Sequence, residues 1–195
     1  MSARDRLIRA DDSALVVVDV QREFLTKLPP GDAERVVERI RWLVGVAGLV
    51  GVPVVVTEEE PERNGPTTAR IVERLPADVR RRVKPVFGLA ACPEIVADLG
   101  ETGRRTAVLV GLETDVCVAH SALGLLELGY AVAVVADAAG SPGTAHRFGL
   151  ERMRDAGVAV LGAKNLYYEW VPTVERANEL EERVRALGVP EGVIL

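Results

Sequence analysis

The chain has 195 residues, which is enough for one domain with a full hydrophobic core and short for two. Its hydrophobic fraction of 48% and charged fraction of 27% are ordinary for a soluble globular protein. The net charge of −5 argues against a general nucleic-acid binder, since that class of protein usually carries a basic excess. We therefore expect a single domain over residues 1–195 and no nucleic-acid partner.

The pattern of apolar residues and cysteines predicts a cytoplasmic protein with no membrane partner. The N-terminal segment lacks the apolar stretch of a signal peptide. The longest apolar runs fall short of the roughly 18 residues that a membrane span needs. The two cysteines, Cys92 and Cys117, are then expected to be free thiols, as is usual in a reducing compartment.

Short apolar runs alternate with longer amphipathic runs along the whole chain. In chain order, the pattern predicts these elements: strand 13–18, helix 32–50, strand 52–57, loop 58–67, short helix 68–75, weak strand 82–85, helix 93–99, strand 106–110, helix 115–128, strand 131–136, helix 143–155, strand 158–161 and helix 173–187. Strands that alternate with helices indicate βαβ units with right-handed crossovers. The expected fold is an α/β three-layer sandwich, with a mostly parallel six-stranded sheet between helices.

Reactive side chains follow several of the predicted strands. Ligands of open parallel sheets bind beyond the carboxyl ends of the strands, and Asp19, Lys84, Cys117 and Asp137 all stand there. Each has an ordinary explanation as well: an aspartate can cap a turn, a lysine is usually solvated, and a lone cysteine is usually a small buried hydrophobe. Lys84 is nevertheless one of only three lysines among 24 basic residues, which suggests a role that arginine cannot fill.

Cys117 is better placed for chemistry than Cys92, although both precede or begin a predicted helix. Thr114 or Asp115 can cap the helix that contains Cys117, and the helix dipole would then stabilise a thiolate. Cys117 also lies just beyond a strong central strand, whereas Cys92 lies in a looser region. The pattern therefore favours Cys117 as the nucleophile.

Five segments of the chain resemble the isochorismatase-like hydrolases, in particular their cysteine hydrolase branch. They are VVVDVQREFL with Asp19, Gln21 and Phe24, VKPVFG with Lys84, VLVGLETDVCVAHSALGLLELGY with Cys117, and the shorter VVADAAGS and YYEW. The nucleophile segment is specific, while the other segments are weak when taken alone. The resemblance runs from about residue 13 to residue 174.

The resemblance implies a catalytic triad of Asp19, Lys84 and Cys117. It also implies a Rossmann-like sheet with strand order 3-2-1-4-5-6, a homo-oligomer and a cis peptide at Leu112–Glu113. In the implied mechanism, Asp19 takes the thiol proton, Lys84 holds that carboxylate, and the thiolate attacks a carbonyl carbon. The N–H groups of Glu113 and Cys117 would receive the oxyanion.

The segment after the second strand departs from one branch of the family. Nicotinamidases carry a metal-binding histidine cluster there, whereas this chain has the sequence TEEEP, and its only histidines are His120 and His146. The three glutamates could bind a hard cation, but the pattern favours a solvated acidic loop, so we expect no metal and no cofactor. The predicted function is hydrolysis of an amide C–N bond in a small molecule through a thioester. The alternatives are vinyl ether hydrolysis through Asp19, as in true isochorismatases, and a catalytically idle binding or scaffold protein.

Position alone suggests residues for the substrate pocket: Phe24, Glu58, Arg63, Phe87, Tyr167 and Trp170. Each of them can equally serve as ordinary packing. A Cys117–His120 pair is a rival catalytic arrangement, because residues three apart are neighbours on a helix. A nucleotide-binding domain is a weaker rival, since no G-x-G-x-x-G or Walker motif is present.

Overall fold

A computed structural model describes residues 7–195 and contains a six-stranded sheet. The strands are β1 (Ser13–Val18), β2 (Val54–Glu59), β3 (Arg81–Lys84), β4 (Thr106–Leu112), β5 (Ala131–Gly140) and β6 (Ala159–Leu161). Their order is β3-β2-β1-β4-β5-β6, and every neighbouring pair is parallel. This confirms the predicted sheet and its strand order.

Helices cover both faces of the sheet. They are α1 (Arg22–Leu25), α2 (Pro30–Val50), α3 (Pro61–Asn64), α4 (Ala69–Val72), α5 (Pro93–Glu101), α6 (Ala119–Glu127), α7 (Ala145–Asp155), α8 (Ala163–Trp170) and α9 (Val174–Ala186). Along β1, Leu15 and Val17 join the core formed with α2, α8 and α9. Ala14, Val16 and Val18 join the core formed with α5, α6 and α7. Both faces of β1 are therefore buried, which explains its unbroken apolar sequence and confirms the three layers.

The helices of residues 7–195 are all too short or too polar to cross a membrane. The sequence pattern does not predict α1, α3 and α8, and α4 is shorter than the predicted helix 68–75. Helices α1, α3 and α4 have only four residues each, which is too short for a recognisable helical period.

Strand β2 ends later than the sequence predicts. Glu58 and Glu59 belong to this strand and pair with Val83 and Lys84 of β3, so the predicted loop 58–67 begins two residues too early. Two adjacent carboxylates are unfavourable in an isolated strand, but pairing with β3 holds them there. The last residue of β2 is consequently beside the last residue of β3, at the edge where ligands of such sheets bind.

The predicted helix 115–128 is divided into two parts. A π-helical turn spans Thr114–Val118, and α6 follows it. The N–H group of Val118 donates to the carbonyl of Glu113 at 3.0 Å, five residues earlier. Insertions of this kind in helices are common at functional sites, because they change the direction in which a side chain points.

Candidate active site

Asp19 directly follows β1 at the point where the strand order changes direction. Its backbone has a φ angle of 50°, a left-handed conformation that aspartate tolerates better than most residues. The Asp19 N–H donates to the carbonyl of Thr57 at 3.1 Å, and the Gln21 N–H donates to the carbonyl of Asp19 at 2.8 Å. These bonds hold the carboxylate in a fully buried position beyond the sheet.

Lys84 ends β3, and its ammonium group reaches Asp19 past the end of β2. Nζ lies 2.6 Å from Oδ2 of Asp19, and both side chains are fully buried. Nζ also donates to the carbonyls of Val86 and Phe87, at 2.9 and 2.8 Å. The loop after β3 thus orients the lysine by two backbone contacts, and the lysine orients the aspartate.

The environment of Asp19 is a balance between burial and nearby positive charge. Burial raises the pKa of the Asp19 carboxyl above its usual range. The charge of Lys84 opposes this rise, as do hydrogen bonds from Lys84, Thr57 and Cys117. The Thr57 hydroxyl donates to Oδ1 at 2.8 Å. A carboxyl with a raised pKa is a suitable group for giving and taking protons.

Cys117 lies inside the π-helical turn, with its thiol directed at two carboxylates. Its side chain is buried, and Sγ donates to Oε2 of Glu59 at 3.1 Å. Burial and the negative charges of Asp19 and Glu59 raise the pKa of the Cys117 thiol far above its ordinary value, although Lys84 opposes them. Burial and the two carboxylates therefore act against the thiolate that the sequence pattern leads one to expect.

The expected helix cap by Thr114 or Asp115 is wrong. Thr114 and Asp115 lie within the π-helical turn, where neither side chain caps a helix. The Thr114 hydroxyl is 2.9 Å from Nδ1 of His146, and Asp115 accepts a hydrogen bond of 2.6 Å from Ser141. These contacts attach the turn to neighbouring segments and so fix the position of Cys117.

Glu59 is the site residue that the sequence analysis missed. Its N–H group donates to Oε1 of Gln21 at 2.7 Å, and its carbonyl accepts from Nε2 of Gln21 at 2.9 Å. Nδ2 of Asn64 donates to the same carbonyl, also at 2.9 Å. One signal was available: Gln21 belongs to the Asp-x-Gln pattern after β1, and its amide clamps the backbone of the neighbouring strand.

The peptide bond between Leu112 and Glu113 is cis, as the resemblance leads one to expect. It joins the end of β4 to the π-helical turn. The Glu113 carbonyl accepts from the N–H groups of Val116 and Val118, at 3.2 and 3.0 Å. The Glu113 carboxylate pairs with Lys27 at 2.7 Å, so its charge is balanced at the rim of the site.

Comparison with known proteins then identifies the family. The family model of the isochorismatase domain matches residues 13–165. The chain belongs to the isochorismatase domain family. Among curated proteins it is 35% identical over 178 residues to the secreted isochorismatase effector Isc1 of Phytophthora sojae, covering 86% of this chain and 82% of that protein.

Solved structures support the same fold for this isochorismatase-domain protein. The MAR1 ribonuclease of Caenorhabditis elegans aligns with a TM-score of 0.85 at 26% identity, over 97% of each chain. The YcaC gene product of Escherichia coli, an octameric hydrolase of unknown specificity, aligns with a TM-score of 0.86 at 22% identity. That alignment covers 94% of this chain and 91% of the other.

Three residues that the sequence analysis proposed for the pocket lie near the site, in different roles. Glu58 is buried, and its Oε1 accepts from the N–H and the hydroxyl of Thr67, at 2.8 and 2.7 Å. Phe87 supplies a carbonyl to Lys84, while its own ring is half exposed. Phe24 is buried, with the Lys27 ammonium 4.7 Å from its ring centroid.

Tyr167, Trp170 and Arg63 are not brought together with Asp19, Lys84 and Cys117. The Trp170 indole donates to Ser13 at the start of β1, so it lies about 20 Å along the strand from the end that carries Asp19. The Tyr167 ring packs against Trp42, with centroids 5.7 Å apart. The Arg63 side chain is exposed and pairs with Glu60 at 3.7 Å.

The rival Cys117–His120 pair is not formed. His120 is exposed, and its ring packs edge-on against Phe87, with centroids 5.9 Å apart. The Cys117 thiol is buried and donates to Glu59 instead. Although the two residues are three apart in sequence, their side chains have different neighbours, partly because the π-helical turn places Cys117 outside the regular helix.

A metal ion would fit this site poorly. One donor atom each from Asp19, Glu59 and Cys117 lies within 4.8 Å of the others. Lys84 Nζ, however, is 2.6 Å from the Asp19 carboxylate and 3.8 Å from the Glu59 carboxylate. The ammonium group therefore already supplies the positive charge between the carboxylates, and a divalent cation would be repelled by it.

Proposed function

We propose that this isochorismatase-domain protein is a cysteine hydrolase that cleaves an amide C–N bond of a small molecule through a thioester at Cys117. The observation that carries the proposal is the meeting of Cys117, Asp19 and Lys84 beyond the carboxyl ends of β4, β1 and β3. A thiol, a carboxyl with a raised pKa and a fixed ammonium group supply a nucleophile, a proton acceptor and a counter-charge.

The first half of the reaction forms the thioester. Asp19 removes the thiol proton as Sγ of Cys117 bonds to the amide carbon, and the carbonyl oxygen gains the negative charge. The N–H groups of Glu113 and Cys117 stabilise that oxyanion. The carbonyl re-forms, the C–N bond breaks, and Asp19 gives its proton to the leaving amine.

The second half releases the acid. Asp19 takes a proton from water, whose oxygen attacks the thioester carbon. The Sγ–C bond then breaks and the proton returns to the thiol. Because burial keeps the thiol protonated before substrate binds, proton removal must accompany the attack, which explains the need for a carboxylate in direct reach.

The test is to incubate the protein with a panel of small aliphatic and aromatic amides, quench in acid and weigh the intact chain. We expect an added acyl group on Cys117, released by hydroxylamine. The adduct should be lost in Cys117→Ser and kept in Cys92→Ser, whose cysteine is also buried but belongs to the start of α5. Absence of any adduct and of turnover across the panel would reject the proposal in favour of an idle binding protein.

Vinyl ether hydrolysis is the second candidate, since burial raises the pKa of Asp19 and so favours its use as an acid. Isochorismate is its test substrate. Consumption of isochorismate that survives in Cys117→Ser but not in Asp19→Asn would establish this reaction instead.

We also propose a homo-oligomer, because the YcaC structure with the same fold is octameric. Size-exclusion chromatography with light scattering tests the assembly, and a single-chain mass would reject it. The predicted cytoplasmic location stays a prediction, since the Phytophthora sojae relative is a secreted effector.

A further inference from the structure

Three consecutive glutamates at the end of β2 have three different partners. Glu58 is buried, and Arg81 lies 3.5 Å from its carboxylate. Glu60 pairs with Arg63 at 3.7 Å. Glu59 instead points its carboxylate at the Cys117 thiol. Of the three, Glu59 is thus the glutamate whose charge acts on the nucleophile.

The position of Glu59 is fixed by its backbone. The Gln21 amide bonds both its N–H and its carbonyl, at 2.7 and 2.9 Å, and the Asn64 amide bonds the carbonyl a second time. These bonds fix the backbone of Glu59, and its carboxylate accepts a hydrogen bond from the Cys117 thiol at 3.1 Å. The negative charge therefore stays beside the reacting sulfur.

Glu59 also lies closer to solvent than the triad. Its side chain is 14% exposed, whereas those of Asp19 and Lys84 are fully buried. The Cys117 residue is 2% exposed. The Glu59 carboxylate is therefore the charged group beside the thiol that is more open to solvent than Asp19 and Lys84.

The charges at this place do not cancel. When Asp19 is ionised, as its proposed role of proton acceptor requires, Asp19 and Glu59 contribute two negative charges, and Lys84 contributes one positive charge at 2.6 and 3.8 Å from them. At the rim, Lys27 is already paired with Glu113 at 2.7 Å. With a neutral thiol, the site carries an excess of about one negative charge in a poorly solvated place, where the charge acts strongly on an incoming group.

We propose that Glu59 is a specificity-determining residue that restricts the site to amides that are neutral or cationic beside the scissile carbonyl. Substrates with a carboxylate or phosphate in that position are repelled. This inference rests on the proposed function in that it takes Cys117 as the reacting atom. It adds the substrate class, and it disfavours dianions such as isochorismate as substrates.

The experiment compares three methanethiosulfonate reagents of different charge: 2-aminoethyl (cationic), methyl (neutral and smaller) and 2-sulfonatoethyl (anionic). In each case, the Cys117 sulfur attacks the reagent's thiol-side sulfur, a disulfide forms, the S–S bond breaks and methanesulfinate leaves, while the thiol proton passes to solvent. Mass spectrometry follows the rate at Cys117. The ratio of cationic to anionic rates is the readout, because a change in the pKa of the thiol affects both reagents equally.

We expect the wild-type ratio to exceed that of an unstructured cysteine peptide by roughly tenfold or more. Glu59→Gln should bring the ratio close to the peptide value, and Glu59→Asp, which keeps the charge, should retain most of the selectivity. Glu60→Gln is the matched control, since this neighbouring glutamate pairs with Arg63 at 3.7 Å, and it should leave the ratio unchanged. Circular dichroism confirms that each variant is folded.

An unchanged ratio in folded Glu59→Gln would overturn the inference, and so would resistance of wild-type Cys117 to all three reagents. The experiments distinguish failure of the proposed amide hydrolysis from failure of the proposed role of Glu59. Charge-selective labelling without any acyl adduct from amides would reject the amide hydrolase and keep the role of Glu59 in selection. Acyl adducts that form equally from anionic and neutral amides would reject the role of Glu59 and keep the hydrolase.

Discussion

Lys84 and Asp19 form a fully buried ion pair, although the strands that carry them are separated by β2. The ammonium nitrogen lies 2.6 Å from a carboxylate oxygen. Carbonyls of the loop after β3 accept the remaining hydrogen bonds of the lysine. The Thr57 hydroxyl donates to the other oxygen of Asp19. The two buried charges neutralise each other, so the pair links the edge of the sheet to its centre.

Removal of one charge of the Lys84–Asp19 pair should destabilise the fold. We expect Lys84→Met to lower the free energy of unfolding by about 3–5 kcal/mol, because Asp19 is left buried without its counter-charge. The double variant Asp19→Asn/Lys84→Met should lose less than the single variant, since no charge is then stranded. Urea denaturation measures both, with the exposed Lys164→Met as control. A double variant that is no more stable than Lys84→Met would contradict this account.

The charge of Lys84 should also control the reactivity of Cys117. It lowers the pKa of the thiol against the larger effects of burial and of Asp19. Lys84→Met should therefore slow alkylation of Cys117 by iodoacetamide at pH 8 by roughly tenfold or more, because the thiolate is the reacting form. Peptide mass spectrometry measures the rate, and Lys164→Met should match the wild type. Equal rates in wild type and Lys84→Met would show that the lysine does not tune the nucleophile.

The buried thiol should make the protein less stable in alkali. The pKa of Cys117 in the fold lies above its ordinary value of 9.0, so above pH 9 the folded chain holds this proton while the unfolded chain has lost it. The stabilisation from the neutral thiol is complete below pH 9 and is lost as pH rises further.

A comparison with Cys117→Ala isolates this effect. The difference in unfolding free energy between wild type and variant should fall by up to about 1.4 kcal/mol per pH unit above pH 9. Thermal and urea denaturation between pH 7 and 10.5 provide the measurement. A difference that stays constant over that range would mean that the thiol is not buried as the structure places it.

Gly149 of α7 permits the close packing of that helix on the π-helical turn that contains Cys117. A Cβ atom there would lie 2.7 Å from Cα of Asp115. We expect Gly149→Ala to cost about 1–3 kcal/mol of stability and to reduce labelling of Cys117, because the turn must shift. Gly48→Ala in α2 is the matched control, since its Cβ would meet no atom within 4 Å.

The control variant Gly48→Ala is expected to change stability in the opposite direction. Gly48→Ala should stabilise the protein by about 0.5–1 kcal/mol, as alanine is the better helix former. Melting temperatures and Cys117 labelling rates of both variants test whether Gly149 is needed for the packing of α7 on the turn. Equal behaviour of the two alanine variants would mean that α7 does not hold the turn in place.

Much of the fold could be predicted from the chain because local and tertiary preferences agree there. The run from Ala14 to Val18 is apolar on both faces, and this is the pattern that a central parallel strand needs. Motifs around Asp19, Lys84 and Cys117 resemble a known family, and the family model matches residues 13–165. These features depend on residues close together in the sequence, so they can be recognised without coordinates.

Other features of the site depend on segments far apart in the chain. Glu58, Glu59 and Glu60 are chemically identical, and only their distant neighbours distinguish them: Arg81 for the first, Cys117 for the second. The sequence pattern predicts too early an end for β2 for the same reason. Pairing with β3 extends the strand through two glutamates, which disfavour a strand locally.

The protonation of the Cys117 thiol likewise depends on packing. A cysteine near a helix start suggests a thiolate, and the helix dipole is a local property that the sequence does show. Burial of Cys117 and the carboxylates that β1 and β2 bring to it reverse that expectation. Residue order was thus sufficient to propose Asp19, Lys84 and Cys117 as the reacting groups, whereas only the tertiary structure determines how burial and neighbouring charges shift their pKa values, because desolvation and Coulomb interactions act between segments that the fold brings together.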